Sequence, residues 1–535
     1  MAFIKSSNFK TSKRSKQTTI IQQSKTHETQ ALTTNLQDNI QLIKRILGNS
    51  PDIVIREWCS ESENRVEAVV IYNSGLADIK LVNQFIMEPL LANSRDGHST
   101  TELSPPADPV DLIKKKLLPV GGIRDNVSFD KLLEGILSGD TAILFEGNDC
   151  GLLIESKGWE ERGVQEPTSQ TVIRGPKEGF SENLITNIAL VRRKIKDPNL
   201  WLEHFHVGRV TKTNVSIMYI NGIAMETALK EVRERIGRIQ IDGILESGYI
   251  EEFIQDKGFT LFPTIYNTER PDVIAAGLLE GRIAILIDGT PFTLLVPALF
   301  TQFFQSAEDY YQRSDISTLI RLLRYVALMI ALLAPPLYIA ITTYHHDMLP
   351  SGLLISLIAQ REGIPFPAFF EALMMEVTFE LLREAGIRLP RAVGQSISIV
   401  GALVIGQAAV QAGIVSAVMV IVVSITAISS FVIPAYNMGI PIRMLRFGMM
   451  GLAASFGLFG ITAGIILIVQ HLCHLRSFGV YYMSPYAPVI PEDKKDAGIR
   501  VSWRNMLTRP RSISSQNSVR ENGPQAQNLE SERRD

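Results

Sequence analysis

The sequence predicts an α/β soluble N-terminal region of two duplicated subdomains, followed by an all-α polytopic membrane domain of four to five spans. Between Arg391 and Arg443 the chain runs fifty-one residues without one Asp, Glu, Lys, Arg or His. A bilayer core of about 30 Å takes roughly 20 apolar residues per helix, so this stretch has the length of two consecutive spans. Residues 130–154 align without a gap on residues 272–296, with ten of twenty-five positions identical, which argues for a tandem duplication. The net charge of −2 is bland because a polar half and an apolar half average out.

The N-terminal arm, residues 1–37, is polar and basic, with Lys5, Lys10, Lys13, Arg14 and Lys16 and no apolar run of signal-peptide type. The first three hundred residues are therefore expected in the cytoplasm. The arm has the composition of a disordered segment with some attraction for anionic lipid headgroups.

Residues 38–170 and 201–300 read as the two α/β subdomains. In each, an apolar run (66–72, 215–220) ends near a glycine and leads into a helical pattern. Later a helix is expected to stop at Gly139 or Gly281, and an Ala-Ile-Leu strand follows. Glu146-Gly147 and Asp288-Gly289 then turn the chain into another strand. Between the subdomains, residues 171–200 are expected to hold a connecting helix that starts after Ser181, carries Leu184, Ile188, Val191 and Ile195, and is basic at Arg192, Arg193, Lys194 and Lys196. Its glycine-rich start lacks the spacing of a phosphate-binding loop and has no apolar strand directly before it, so a linker packed against both copies is the better reading.

After a junction at 301–322, the transmembrane part occupies 323–473. Residues 325–344 are uncharged and broken by Pro335 and Pro336, whose missing backbone donors kink a helix. Residues 392–411, 413–434 and 447–470 supply further spans, the last with small residues at Ala453/Gly457 and Gly460/Gly464 that favour close helix packing. Residues 351–389 carry Phe366, Phe370, Leu373, Met374, Val377 and Leu381 on one helical face. Glu376 and Glu380 lie one turn apart on another, and Glu371 falls off that stripe. Carboxylates at membrane depth are costly unless paired or hydrated. Either this helix lies in the interface with its glutamates in solvent, or it packs inside an assembly along a cation path. Along 392–411, Ser396, Val400, Leu403, Gln407 and Gln411 fall within a narrow arc. Uncharged polar and medium apolar side chains suit a narrow water-filled constriction, the alternative being glutamines bonded to neighbouring helices.

Basic residues at 383, 388 and 391 and at 443 and 446 flank a two-span pair, which the positive-inside rule places toward the cytoplasm. That gives five spans and an external C-terminus; four spans with a re-entrant segment is the other solution. The tail, 474–535, is polar and is expected to be mostly disordered.

Three scattered cysteines (Cys59, Cys150, Cys473) support neither a disulfide framework nor a zinc site. The cluster His471-Leu-Cys473-His474 has no second ligand pair nearby, so no metal is expected. No nucleophile–base spacing or nucleotide fingerprint points to an enzyme or a cofactor. No basic tract interleaved with aromatics points to nucleic acid.

Several separate motifs carry a family likeness: Gly175-Pro-Lys-Glu-Gly-Phe-Ser-Glu182, Arg192-Arg-Lys-Ile-Lys-Asp-Pro-Asn199, Asp288-Gly-Thr-Pro-Phe292, Phe303-Phe-Gln-Ser-Ala-Glu-Asp-Tyr-Tyr311 and Arg361-Glu-Gly-Ile-Pro-Phe-Pro367. In this order the chain resembles the A subunit of GerA-type spore germination receptors over about residues 38–490. The resemblance implies the inner membrane of an endospore-forming bacterium and a complex with two partners. These are a B subunit, which is transporter-like and binds the nutrient, and a C subunit, a lipoprotein. It also implies that the A subunit oligomerises into a nutrient-gated cation channel. On that reading Ser396, Val400, Leu403, Gln407 and Gln411 are expected to line the pore and Glu376 and Glu380 to attract cations. The alternative, a stand-alone secondary transporter of a small solute, would want repeats within the membrane half. The duplication lies instead in the soluble half.

Overall fold

The computed structural model describes residues 31–59, 67–89, 122–158, 166–167, 170–256, 258–388, 406–514 and 520. The chain divides into two compact units, Met1–Glu160 with Lys196–Pro198, and Glu161–Ile195 with Asn199–Asp535.

The first unit holds the first copy of the repeat. Helix α1 (Leu36–Ile46) starts where the Asn35 side chain accepts hydrogen bonds from the Gln37 and Asp38 amides. Strands β1 (Ile53–Cys59) and β2 (Glu67–Asn73) follow, then a short helix α2 (Ile79–Leu81) that widens into a π-turn over Val82–Met87. Strand β3 (Ile123–Val127), helix α3 (Phe129–Leu137) and strands β4 (Thr141–Phe145) and β5 (Gly151–Ile154) complete the copy. The strands pair antiparallel in the order β1-β2-β4-β5-β3. Side chains alternate between faces with period two. Val69, Ile71, Ala142, Leu144 and Leu153 pack on α1 and α3. Ala68, Val70, Ile143, Phe145 and Ile154 pack with Val82 and Ile86 of the segment after β2.

The second copy repeats this plan within the second unit. It consists of α4 (Leu184–Lys194), β6 (Leu200–Val207), β7 (Thr213–Ile220), α5 (Glu226–Gly237), α6 (Ser247–Ile254), β8 (Tyr266–Thr268), α7 (Pro271–Leu279), β9 (Ile283–Ile287) and β10 (Thr293–Val296). Its strand order, β6-β7-β9-β10-β8, is the same antiparallel order as in the first copy. Helix α4, expected as a connector, holds in this copy the place of α1. Asn183 caps it as Asn35 caps α1. Asn187 donates to the Ser181 carbonyl at 2.6 Å as Asn39 does to Thr33 at 2.7 Å. The Leu184 amide donates to Asp288 as the Leu36 amide does to Glu146. The helix thus opens the second repeat.

Gly139 and Gly281 end α3 and α7 with φ of 96° and 97°, a backbone that L side chains resist. At Gly135 and Gly277 a Cβ would stand 2.4 and 2.5 Å from Leu153 and Leu295, so these glycines let each helix press onto its sheet.

From the second copy the chain passes through α8 (Glu308–Tyr311) into a helical region. This comprises α9 (Ser314–Thr343), α10 (Ser351–Arg361), α11 (Ala368–Arg388), α12 (Gly406–Gln411), α13 (Ala417–Val432) and α14 (Tyr436–His474). Among the described residues, α9 and α14 are long and apolar enough to cross a membrane, with mean hydropathy 2.0 and 2.3, and α13 is a shorter apolar helix.

Helix α14 is not the straight span expected over 447–470. At Gly457 (φ 61°, ψ −139°) the chain doubles back. A Cβ on Gly464 would lie 2.4 Å from the Met449 sulfur, fifteen residues away, a distance of about 22 Å along a straight helix. The two legs therefore run antiparallel. Their tip sits on the end of α9, where the Tyr344 hydroxyl donates to the Ala454 carbonyl at 2.8 Å. At the other end the second leg returns to the second copy, His471 Nε2 lying 3.0 Å from the Thr260 hydroxyl.

The tail does not follow its expectation of disorder as far as residue 514. Strands β11 (Arg476–Ser477) and β12 (Val480–Tyr481) form a hairpin. The Ser477 hydroxyl donates to the Thr264 carbonyl at 2.7 Å and accepts from the Ala298 amide at 2.9 Å. Tyr482 packs with Phe300 and Phe303, and Ser514 donates to the Ile223 carbonyl at 3.0 Å. Polar composition masked this because the segment adds to a core that already exists instead of building its own. Residues 515–519 and 521–535 lie outside the described residues.

Candidate functional site

Helix α11 buries an unusual stripe: Ala368, Glu371, Ala372 and Glu376. Its apolar residues point the other way, with Phe370 56% and Leu381 66% exposed. Glu371 and Glu376 are thus buried against neighbouring helices, Glu380 is half-buried and Glu384 is exposed. Glu371, expected off the acidic stripe, faces Ser416, whereas Glu376 and Glu380 face Arg443 and Arg446.

Three carboxylates meet three different partners. Glu371 accepts from the Ser416 amide at 2.6 Å and from the Ser416 hydroxyl, and stands 4.0 Å from Arg361 Nε. Since Ser416 is the N-cap of α13, the carboxylate lies where the helix dipole favours negative charge. Glu376 Oε2 lies 3.0 Å from Arg446 Nη2, and both side chains are fully buried. Glu380 lies 3.0 Å from Arg443 Nε and 3.7 Å from Arg446 Nη2. Arg383 ends the series over the rings of Phe431 and Tyr436, at 5.6 and 5.5 Å. Arg443 and Arg446, expected to flank the end of a span, face the carboxylates of α11. They lie inside the first leg of α14 and neutralise α11.

Of the expected pore wall, Ser396, Val400 and Leu403 lie outside the described residues. Gln407 and Gln411 are one turn apart on α12 and both exposed.

A second polar cluster was missed by sequence reasoning. Asp309, 2% exposed, accepts from Arg321 Nε at 2.9 Å and Arg324 Nη1 at 2.7 Å. Arg321 also donates to Asp496 Oδ1 at 2.7 Å, and Tyr310 donates to Asp496 Oδ2 at 2.7 Å. Burial, reinforced by the Asp496 charge, pushes the Tyr310 phenol well above its ordinary range. Arg500 completes the cluster, donating to the Gln312 carbonyl and stacking over Tyr310 and Trp503. The cluster ties the end of the second copy, the foot of α9 and the C-terminal segment together. A cavity of about 660 Å³ adjoins it, but its inner charges are engaged, Arg282 with Glu280 and Tyr311 with Asp272. The one sequence signal for the α11–α14 pairing was two carboxylates one turn apart, matched later by two arginines nearly one turn apart. For Asp496 there was none.

A family model, Bacillus/Clostridium GerA spore germination protein, matches residues 41–512. Spore germination protein KA of Bacillus subtilis (strain 168) is 50% identical over 487 residues, covering 91% of this chain and 88% of that protein. Spore germination protein B1 of the same organism is 39% identical, covering 91% and 99%. Spore germination protein GerLA of Bacillus cereus is 38% identical, covering 91% and 97%. The crystal structure of the N-terminal domain of the A subunit of the Bacillus megaterium spore germinant receptor GerK3 aligns at 40% identity with a TM-score of 0.39, over 51% of this chain and 98% of that one. With a family model spanning nearly the whole chain and relatives matched along almost their full length, this chain belongs to the GerA family of spore germination proteins.

Proposed function

We propose that the chain is the A subunit of a nutrient germinant receptor in the inner membrane of the spore. In this reading it acts with a transporter-like B subunit and a lipoprotein C subunit, and several copies form a cation channel that opens when the nutrient binds. The observation that carries the reading is the row of buried carboxylates on α11, in a helical assembly of a spore germination protein. Buried charge among apolar helices is costly and marks an ion or proton route more often than a packing role. Ser396, Val400, Leu403, Gln407 and Gln411 form the pore wall, and Glu376 and Glu380 attract the cation.

Both ends of the helical region meet the second copy, through Phe304 and Arg324 on entry and His471 and Thr260 on return. That supports an even number of crossings, with the soluble copies and the C-terminal segment facing the cytoplasm together. The test is potassium efflux from spores carrying Gln407→Leu or Val400→Ala, with and without a nutrient mixture. A changed basal or triggered rate is the expected result; wild-type rates in both variants overturn the pore assignment.

A further inference from the structure

Two sets of buried ion pairs in this protein are built differently. At the foot of α9, Asp309 receives directed hydrogen bonds from Arg321 and Arg324, as a permanent joint requires. Between α11 and α14, Glu376 and Arg446 touch at 3.0 Å with both side chains fully buried. Yet neither carboxylate oxygen of Glu376 and none of the three guanidinium nitrogens of Arg446 has a hydrogen-bond partner among the described residues. The pair is a close contact of opposite charges without a directed hydrogen bond. A buried pair of this kind recovers little of the cost of taking both ions out of water, so it parts far more readily than a hydrogen-bonded one. The rest of α11 is held by the Glu371–Ser416 bonds at one end, by Glu380 against Arg443 at 3.0 Å, and by Arg383 over two aromatic rings at the other. Arg446 lies about 15 Å along its helix from Tyr436 and a similar length short of the Gly457 reversal, so the weak contact sits midway along that leg.

We infer that Arg446 is the closing counter-charge of the path: its guanidinium occupies the cation's place beside Glu376 and Glu380 and leaves it when α11 and α14 separate. The inference rests on the channel reading above. The same carboxylates that draw a cation in the open form are neutralised by the protein's own cation in the closed one. Removing Arg446 therefore opens the route, and removing Glu376 leaves a fixed positive charge in it.

The test is potassium efflux from spores whose receptor carries substitutions at this pair, with membrane levels of the chain followed by immunoblot. Arg446→Gln is expected to raise efflux without nutrient at least tenfold, and Arg446→Lys to restore closure. The double variant Glu376→Gln/Arg446→Gln, which removes the fully buried carboxylate with its counter-charge and leaves Glu380 paired with Arg443, is expected to lose the leak. Arg446→Gln at normal level with wild-type basal efflux overturns the inference, as does a double variant as leaky as the single one, since that leak comes from damaged packing. Should Arg446→Gln not accumulate, Glu376→Gln alone is decisive. Efflux triggered by a mixture of amino acids, sugars and nucleosides should fall at least tenfold, and a wild-type response overturns the proposal. Absence of triggered efflux through the unaltered receptor would sink the channel reading itself, a separate outcome.

Discussion

Asp309 shows how much one buried oxygen can hold. Its Oδ2 accepts from two arginines of α9 and, at 3.2 Å, from the Ser306 amide. Asp309→Asn would leave two guanidinium groups without their shared counter-charge in a site closed to water. Breaking a buried pair from one side costs about 3–5 kcal/mol. Asp315, paired with Arg313 at 3.0 Å, has side chains 62% and 81% exposed and serves as the control. Its loss is expected to leave the melting temperature almost unchanged, because solvent screens the pair. Thermal unfolding of the detergent-solubilised chain measures both. Equal melting temperatures for the two variants would contradict this account of the joint. At this scale little was legible in the sequence. Nothing in the sequence marks Arg321 and Arg324 as partners of one buried carboxylate, and the bond from Arg321 to Asp496, 175 residues away, exists only in the folded chain. Glu376 and Glu380 were recognisable as anomalous, because a carboxylate in an apolar run always is; their arginine partners had a simpler explanation at hand.

Elements were more legible where water defines the faces. The duplication, its helix-stopping glycines and its hairpin turns were all readable, since each copy buries period-two strands against amphipathic helices. The same logic does not decide the direction of α11. In water the apolar face of a helix turns inward; among helices that themselves face lipid, the polar face does so. The sequence put Phe370, Met374, Val377 and Leu381 on one face without fixing its direction, and the structure turns that face outward. An element in the soluble part also carries a pH response. Glu251 of α6 lines a pocket of about 300 Å³ with Glu246, Asn267, Pro434 and Tyr436, where the second copy meets the turn between α13 and α14. Burial raises its carboxyl from 4.5 to about 7, the Glu246 charge adding to the rise and the Asn267 hydrogen bond opposing it. Because the folded state binds this proton more tightly, the associated stability is complete below pH 4.5, the unfolded value, and is lost as pH rises through about 7. The melting temperature of the solubilised chain should fall across that window, and Glu251→Gln should flatten the fall. An unchanged slope in that variant would assign the dependence to another group.

For the whole molecule, the decisive feature was one the sequence hides. Residues 447–470 have the length of a single span, and the only mark of their reversal is Gly457, whose positive φ and 2.8 Å approach to the His345 ring admit no side chain. With that turn, both legs of α14 run between the second copy and the end of α9. Helix α9 itself, at 30 residues, is about 45 Å long, some 15 Å more than a bilayer core, so its first turns stand outside the apolar layer. Those turns hold Ser317, Arg321 and the bond from the Arg500 amide to Thr318 at 3.2 Å. On the proposed crossing of the membrane by α9, a tail fastened there lies on the same side as the second copy. Single cysteines placed at Val210 and Trp503 in a chain freed of its own cysteines should therefore react with an impermeant thiol reagent from the same side. One at Met348, just past the end of α9, should react from the other side. All three sites are exposed, so access is set by the membrane and not by packing. Labelling of positions 210 and 503 from opposite faces would break the even crossing number. It would also mean that the contacts of Ser477, Asp496 and Arg500 do not form in the membrane.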